Sequence, residues 1–155
     1  MLFGTQQPVV AKASVVIKKP VGDVYHFISD EFFDNYPRWS PEVVELKSLS
    51  EGPVKLGTMA KQVRVDHGHK SESTFKVTTH QPNKCLCFSG VSNPYTCLYE
   101  LDVRNESDVA TRLTFTFELP QIDVFMRPFE KLIRVAIQDG ANRTVKNLKG
   151  LLEGT

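Results

Sequence analysis

The sequence lacks any apolar run approaching the ~20 residues needed to span a bilayer. Its start has no basic segment followed by an uninterrupted apolar stretch, so no secretory leader is expected and the cytoplasm is the default location. Cysteine is scarce: Cys85, Cys87 and Cys97 alone. An odd number, in a chain of 155 residues that can build its own core, argues against a disulfide framework. Cys85-x-Cys87 has no second ligand pair to complete a zinc site with His67 or His69. The three thiols are expected to be small buried hydrophobes, and no metal or other cofactor is expected. Neither sign of charge dominates. Lys plus Arg number 19 against 18 Asp plus Glu, so no nucleic-acid partner is expected. A phosphate-binding loop, a zinc-protease motif and a nucleophilic triad are all missing.

What is present is ordinary globular material, 41% hydrophobic and 24% charged. The length fits one domain, residues 1–155. Residues 1–8 read as a lead-in and 9–18 as a strand rich in β-branched side chains. Pro20 suits the first position of a helix, and apolar residues from Val21 to Tyr36 keep helical spacing. A break near Ser29–Asp30 would give two short helices. Pro37 and Pro41 are expected to stop helix formation and leave 37–41 as an extended linker holding Trp39. Strands are then expected over 42–50, 57–66, 69–80, 84–91, 95–104 and 109–118. Short turns at Glu51–Pro53, His67–Gly68, Gln81–Asn83, Ser92–Pro94 and Asn105–Asp108 favour antiparallel pairing. After Pro120 the period changes to that of a helix. Pro128 should kink it or mark the start of its long part over 128–148, with Gly150 as the stop.

Segregated strands and helices imply an α+β fold: about seven curved antiparallel strands around a long C-terminal helix, with one or two short helices after the first strand. Such a sheet and one helical rod leave space between them, so a ligand cavity is expected there.

Several residues in that order resemble a known group. They are Pro20, Val24, Phe27 and Ile28; then Trp39-Ser40-Pro41-Glu42-Val43 and Gly57; then Thr114, Phe115, Phe117, Pro120 and Phe129. The pattern, over about residues 9–149, resembles the START-like, or Bet v 1-like, superfamily (SRPBCC), and within it the polyketide cyclase/dehydrase and lipid-transport group. The resemblance implies a helix-grip fold with a hydrophobic cavity. It also implies carriage of lipids, sterols or other apolar ligands, cyclisation of polyketides, or chaperone-cofactor activity. It transfers no catalytic residue to this chain, and fold does not choose among these.

Period-two faces nominate the inward residues: Val63 and Val65, Phe75 and Val77, Tyr95, Cys97 and Tyr99, and Leu113, Phe115 and Phe117. Arg64 and Asp66 then point to solvent. Phe125, Phe129, Leu132, Ile133, Ala136 and Ile137 are the helix partners. Tyr36 and Trp39 are placed at the cavity mouth, as ligand contacts or as a packed cap. The candidate ligand-binding set is therefore Tyr36, Trp39, Val63, Phe75, Tyr95, Cys97, Tyr99, Phe115, Phe129, Ile133, Ala136 and Ile137. Catalytic residues are unknown. His67 and His69 are the nearest acid–base candidates, although a loop histidine is more often simply exposed. The basic residues Arg127, Lys131, Arg134, Arg143, Lys146 and Lys149 read as the solvated face of a helix.

The leading expectation is non-covalent binding or transport of a small hydrophobic molecule. A cyclase or dehydratase acting on an aromatic or polyketide substrate is the alternative, and a protein-interaction or stress-response adaptor the third. A homodimer is compatible with the sequence but not derivable from it.

Overall fold

The computed structural model describes residues 8–104 and 109–154. The expected lead-in, apart from Pro8, and the link at Asn105–Asp108 lie outside them. Alternating side chains build seven strands: β1 (Val9–Ile17), β2 (Val43–Ser48), β3 (Met59–Asp66), β4 (His69–Gln81), β5 (Cys85–Gly90), β6 (Thr96–Val103) and β7 (Thr111–Leu119). They form one antiparallel sheet in the order β1-β7-β6-β5-β4-β3-β2. Register shifts at Val43/Glu45 and Val77/Thr79 are the bulges that help a sheet bend. The β3–β4 link is a two-residue hairpin with positive φ at both His67 (51°) and Gly68 (79°), as a type I′ turn requires.

The helical segment after β1 is split. Helix α1 (Val21–Tyr25) runs into a π-helical turn, His26–Asp30, and α2 (Phe32–Trp39) follows. The break falls at Glu31, where φ is −105° and ψ 29°. Pro37 does not end α2, contrary to expectation. Near the end of a helix a proline forfeits little beyond its own missing N–H bond, and the Ser40 amide still bonds the Tyr36 carbonyl at 2.9 Å. Trp39 is thus helical.

Pro128 sits in a 3₁₀ segment, Val124–Phe129, before the long helix α3 (Glu130–Glu153). The helix runs past Gly150. Leu152 is buried, and Glu153 Oε2 accepts bonds of 2.7 Å from both the Lys18 amide and Lys149 Nζ, which hold the last turn in place. Helix α3 lies along β1 in the same direction. Arg134 donates to the Pro8 carbonyl (3.4 Å), Gln138 to Lys12 (3.1 Å) and Lys149 to Val16 (2.6 Å). Ala11 and Ala13 on β1 allow that close approach.

The inward face follows from the register. Ala11 pairs with Phe117, Phe117 with Cys97, and Cys97 with Phe88; one step on, Ala13, Phe115, Tyr99 and Leu86 align. The sets from Phe75/Val77 through Tyr95/Cys97/Tyr99 to Leu113/Phe115/Phe117 therefore face inward together. No helix among the described residues is long and apolar enough to cross a membrane.

Candidate ligand-binding site

Three aromatic residues on α2, Phe32, Tyr36 and Trp39, recur at helical spacing and present one face. They meet Phe75, Phe88 and Tyr99 from the sheet, and Tyr99 in turn meets Phe115. Phe75 and Phe88 have ring centres 4.4 Å apart, Phe32 and Tyr36 4.9 Å, and Tyr99 and Phe115 4.9 Å. Trp39 and Tyr99 meet edge to face at 5.8 Å. Tyr36 and Trp39 are buried, and their polar atoms turn inward instead of toward water. Trp39 Nε1 donates to the Tyr99 hydroxyl at 3.2 Å, and the Tyr36 hydroxyl donates to Gln62 Oε1 at 3.0 Å. The two residues form a packed cap over the core. This half of the concavity is filled.

Strand β3 faces the opposite way from the expectation. Ala60, Gln62 and Arg64 point into the concavity, as the Tyr36–Gln62 bond and the Arg64–Ser40 bond (3.3 Å) show. Val63 and Val65 point out. Val63, though buried, lies on the outer face beside Lys61 and Glu45, and Val65 is exposed. Two valines suggested the apolar side of the strand, but here the polar side is buried because its groups are bonded. Arg64 makes a forked contact with Asp66 (3.1 and 3.2 Å) and lies 3.6 Å from Glu42. Burial disfavours its charge, yet Asp66, Tyr36 and Glu42 more than offset that and hold its pKa above the ordinary value.

Gln62 anchors a polar network. Its Nε2 donates to the Tyr95 hydroxyl (3.0 Å) and to Ser73 Oγ (3.2 Å), and those two oxygens are 3.1 Å apart. Gln62 and Ser73 are cross-strand partners, so both face inward. The Tyr95 ring stacks on Phe117 (6.2 Å, 19°) and rests against Gly90. A Cβ at Gly90 would lie 2.5 Å from that ring and 2.1 Å from the Asn93 carbonyl oxygen, so the tyrosine's seat requires glycine. Burial raises the pKa of Tyr36, Tyr95 and Tyr99, and pushes the Cys97 thiol up to about 12. All four are neutral near pH 7.

Helix α3 has two unlike halves. Ala141, Val145, Leu148 and Leu152 are buried, and no residue of the helix before Ala141 is. Phe125 is 86% exposed, Leu132 69% and Phe129 51%; Ala136 is exposed and Ile133 half-buried. Of the six expected helix partners only Ile137 packs against the core cluster. Phe129, Ile133, Ala136, Gly140, Arg143 and Asn147 lie on one stripe at steps of four and three. Asn147 Nδ2 donates to the Trp39 carbonyl (3.0 Å), so this stripe is the side turned toward α2. Its first half is an uncovered apolar strip on the flank of the helix, beside the packed stripe of Ile137, Ala141, Val145, Leu148 and Leu152. Because Arg134 reaches Pro8, and Val9 pairs with Leu119, this strip lies at the sheet end that carries Phe117 and Tyr95.

Shallow grooves lie on the surface of the described residues. One, of about 300 Å³, is lined by Glu45, Leu46, Lys47, Lys61 and Val63 on the outer face. The other, of about 240 Å³, borders Ser73 with Glu72, Thr74, Ser92 and Asn93. Neither is an enclosed chamber between sheet and helix. Neither is lined by a residue of α3.

The remaining candidates do not converge. His67 and His69 stand at the exposed β3–β4 hairpin, and His26 pairs with Asp30 (2.9 Å) on the surface. Among the described residues no group of three or more His, Cys, Asp or Glu is placed to hold a metal ion.

A family model described as polyketide cyclase / dehydrase and lipid transport matches residues 8–153. The chain belongs to that family. No curated protein sequence matches it significantly. Among solved structures it is similar to TTHA0849 from Thermus thermophilus, at 18% identity and a TM-score of 0.73 over 94% of this chain and 97% of that one. It is similar to the Zhui aromatase/cyclase from Streptomyces sp. R1128, at 11% identity and a TM-score of 0.76 over 95% and 94%. A START superfamily protein from Mycobacterium smegmatis shares 14% identity, with a TM-score of 0.73 over 94% and 97%. At these identities the likeness is one of fold, the helix grip.

Sequence reasoning passed over Gln62, Ser73 and Gly90, and turned Arg64 toward solvent. Gly90 alone carried a signal, a glycine at a strand end before Ser92-Asn93-Pro94, where close backbone approach is common.

Proposed function

We propose that this chain binds and carries a small, largely apolar molecule without forming a covalent bond to it. The ligand lies between the first half of α3 and the inward face of β6 and β7. Phe129, Ile133, Ala136 and Ile137 contact it from the helix, and Tyr95, Phe115 and Phe117 from the sheet. Cys97, Tyr99, Phe75, Trp39 and Tyr36 form the packed wall behind. Val63 is left out, since it faces away. The observation that carries this reading is the uncovered apolar strip on the flank of α3 and the turn before it, with Phe129 51% exposed. Covering such surface is favourable by roughly 25 cal/mol per Å² of apolar area. The family's description, which joins cyclase/dehydrase chemistry with lipid transport, agrees with a ligand of this class.

A second reading, a cyclase or dehydratase, is favoured by the inward Arg64, Tyr36, Gln62 and Tyr95. It is weakened because Arg64 is already bonded to Asp66, and because no carboxylate or imidazole belongs to the Gln62 network. The likeness to an aromatase/cyclase supports the fold for this reading and no particular reaction.

Native mass measurement after incubation with a mixed lipid extract tests the proposal. A retained adduct of one lipid-sized mass per chain is expected. A chain that emerges bare from every lipid class contradicts it.

A further inference from the structure

The polar network has one hydrogen more than it uses. Tyr36, Ser73 and Tyr95 each bring one O–H hydrogen, and the Gln62 amide brings two N–H hydrogens. Four close contacts join these groups: Tyr36–Gln62, Gln62–Tyr95, Gln62–Ser73 and Ser73–Tyr95. Each contact holds one hydrogen, so one is left over. Reversing the Gln62 amide would strand one N–H and the Tyr36 hydroxyl hydrogen, so the satisfied orientation is the one with Oε1 toward Tyr36 and Nε2 toward Ser73 and Tyr95. Gln62 is 3% exposed, whereas Ser73 and Tyr95 are half-buried, and Ser73 borders the shallow groove shared with Ser92 and Asn93. A phenol is a more acidic and stronger donor than an aliphatic hydroxyl. The favoured arrangement has Ser73 donating to Tyr95, and Tyr95 donating outward. Its ring is held for that task by Phe117 on one side and the bare Gly90 backbone on the other.

We infer that the ligand carries an oxygen acceptor, a ketone or another carbonyl, which receives a hydrogen bond from Tyr95. A pure hydrocarbon leaves that hydrogen without a partner. This selection depends on the apolar ligand binding beside α3, as proposed above, and adds to it the chemical class of the ligand's inner end.

The test uses two probes of nearly identical shape, 2-acetylnaphthalene and 2-isopropenylnaphthalene. The first has a carbonyl where the second has a methylene. Calorimetric titration of the full chain should show the ketone binding about 5- to 10-fold more tightly, the range expected of one hydrogen bond. Tyr95→Phe keeps the ring on Phe117 and should bring the ratio near one, while Ser73→Ala should keep the preference. Independently of any variant, the carbonyl stretch of the bound ketone in the native protein should lie below its position in hexane. Equal binding of the two probes, a hexane-like stretch, or a preference that survives Tyr95→Phe overturns the inference and leaves the apolar site standing. Binding of neither probe overturns both.

Discussion

Gly90 and Tyr95 show how one missing side chain places another. The ring of Tyr95 occupies the space a Cβ would need, and the Asn93 carbonyl closes the other side. Gly90→Ala is therefore expected to destabilise the protein by about 1–3 kcal/mol, by overpacking against backbone that cannot move aside cheaply. Urea unfolding measures this; an unchanged midpoint would show that the 91–94 loop yields freely. Cys97 makes a second prediction at this scale. Burial pushes its thiol up to about 12 and hides it from solvent, while Cys85 is only half-buried. Iodoacetamide at pH 8 should label Cys97 in the native chain far more slowly than in urea, with mass mapping as the readout. Equal rates in the two states would contradict its placement. Strand β3 shows where reading residues singly fails. Arg64 was expected at solvent opposite Val63 and Val65 and Gln62 carried no signal, because their partners Ser40 and Tyr36 come from other elements, which no spacing rule reveals.

At the level of elements, the order and kind of the strands and helices were legible, because period-two alternation and turn residues are local signals. Where α2 and α3 end was less so. Pro37 is tolerated near the close of α2, and Gly150 is carried through by Leu152 and Glu153, contacts that form only when β1 lies alongside. The apolar stripe of α3 was also visible, but not that it divides into a packed half and an uncovered half. The division predicts a contrast. Leu148 has no exposure, and Leu148→Ala should cost about 2–5 kcal/mol. Leu132 is 69% exposed, and Leu132→Ala should stay within about 0.5 kcal/mol. Denaturant titration of the two variants side by side checks this. Similar losses in both would mean that the first half of α3 is packed after all.

For the whole molecule, the tyrosines set a limit on stability in alkali. The chain has four, Tyr25, Tyr36, Tyr95 and Tyr99, and burial raises the pKa of each above the ordinary phenol. Above about pH 10 the unfolded chain releases phenolic protons that the folded chain keeps. The folded state then binds more protons than the unfolded one, so stability is full below that pH and falls as pH rises through the folded values. Tyrosinate absorbance at 295 nm and loss of helical circular dichroism should rise together; graded ionisation with the fold intact would contradict this. The global architecture could be read because a seven-strand meander followed by one long helix has few ways to close. Within the concavity, α2 packs Phe32, Tyr36 and Trp39 against Phe75, Phe88 and Tyr99.

The proposed function requires that the uncovered strip beside α3 be where an apolar molecule binds. Amide-resolved NMR during titration with 2-acetylnaphthalene tests this directly. The account predicts saturable shifts at Phe129, Ile133 and Ala136 together with Tyr95 and Phe117. Shifts confined to the outer groove at Glu45, Lys61 and Val63, or none at all, would contradict it.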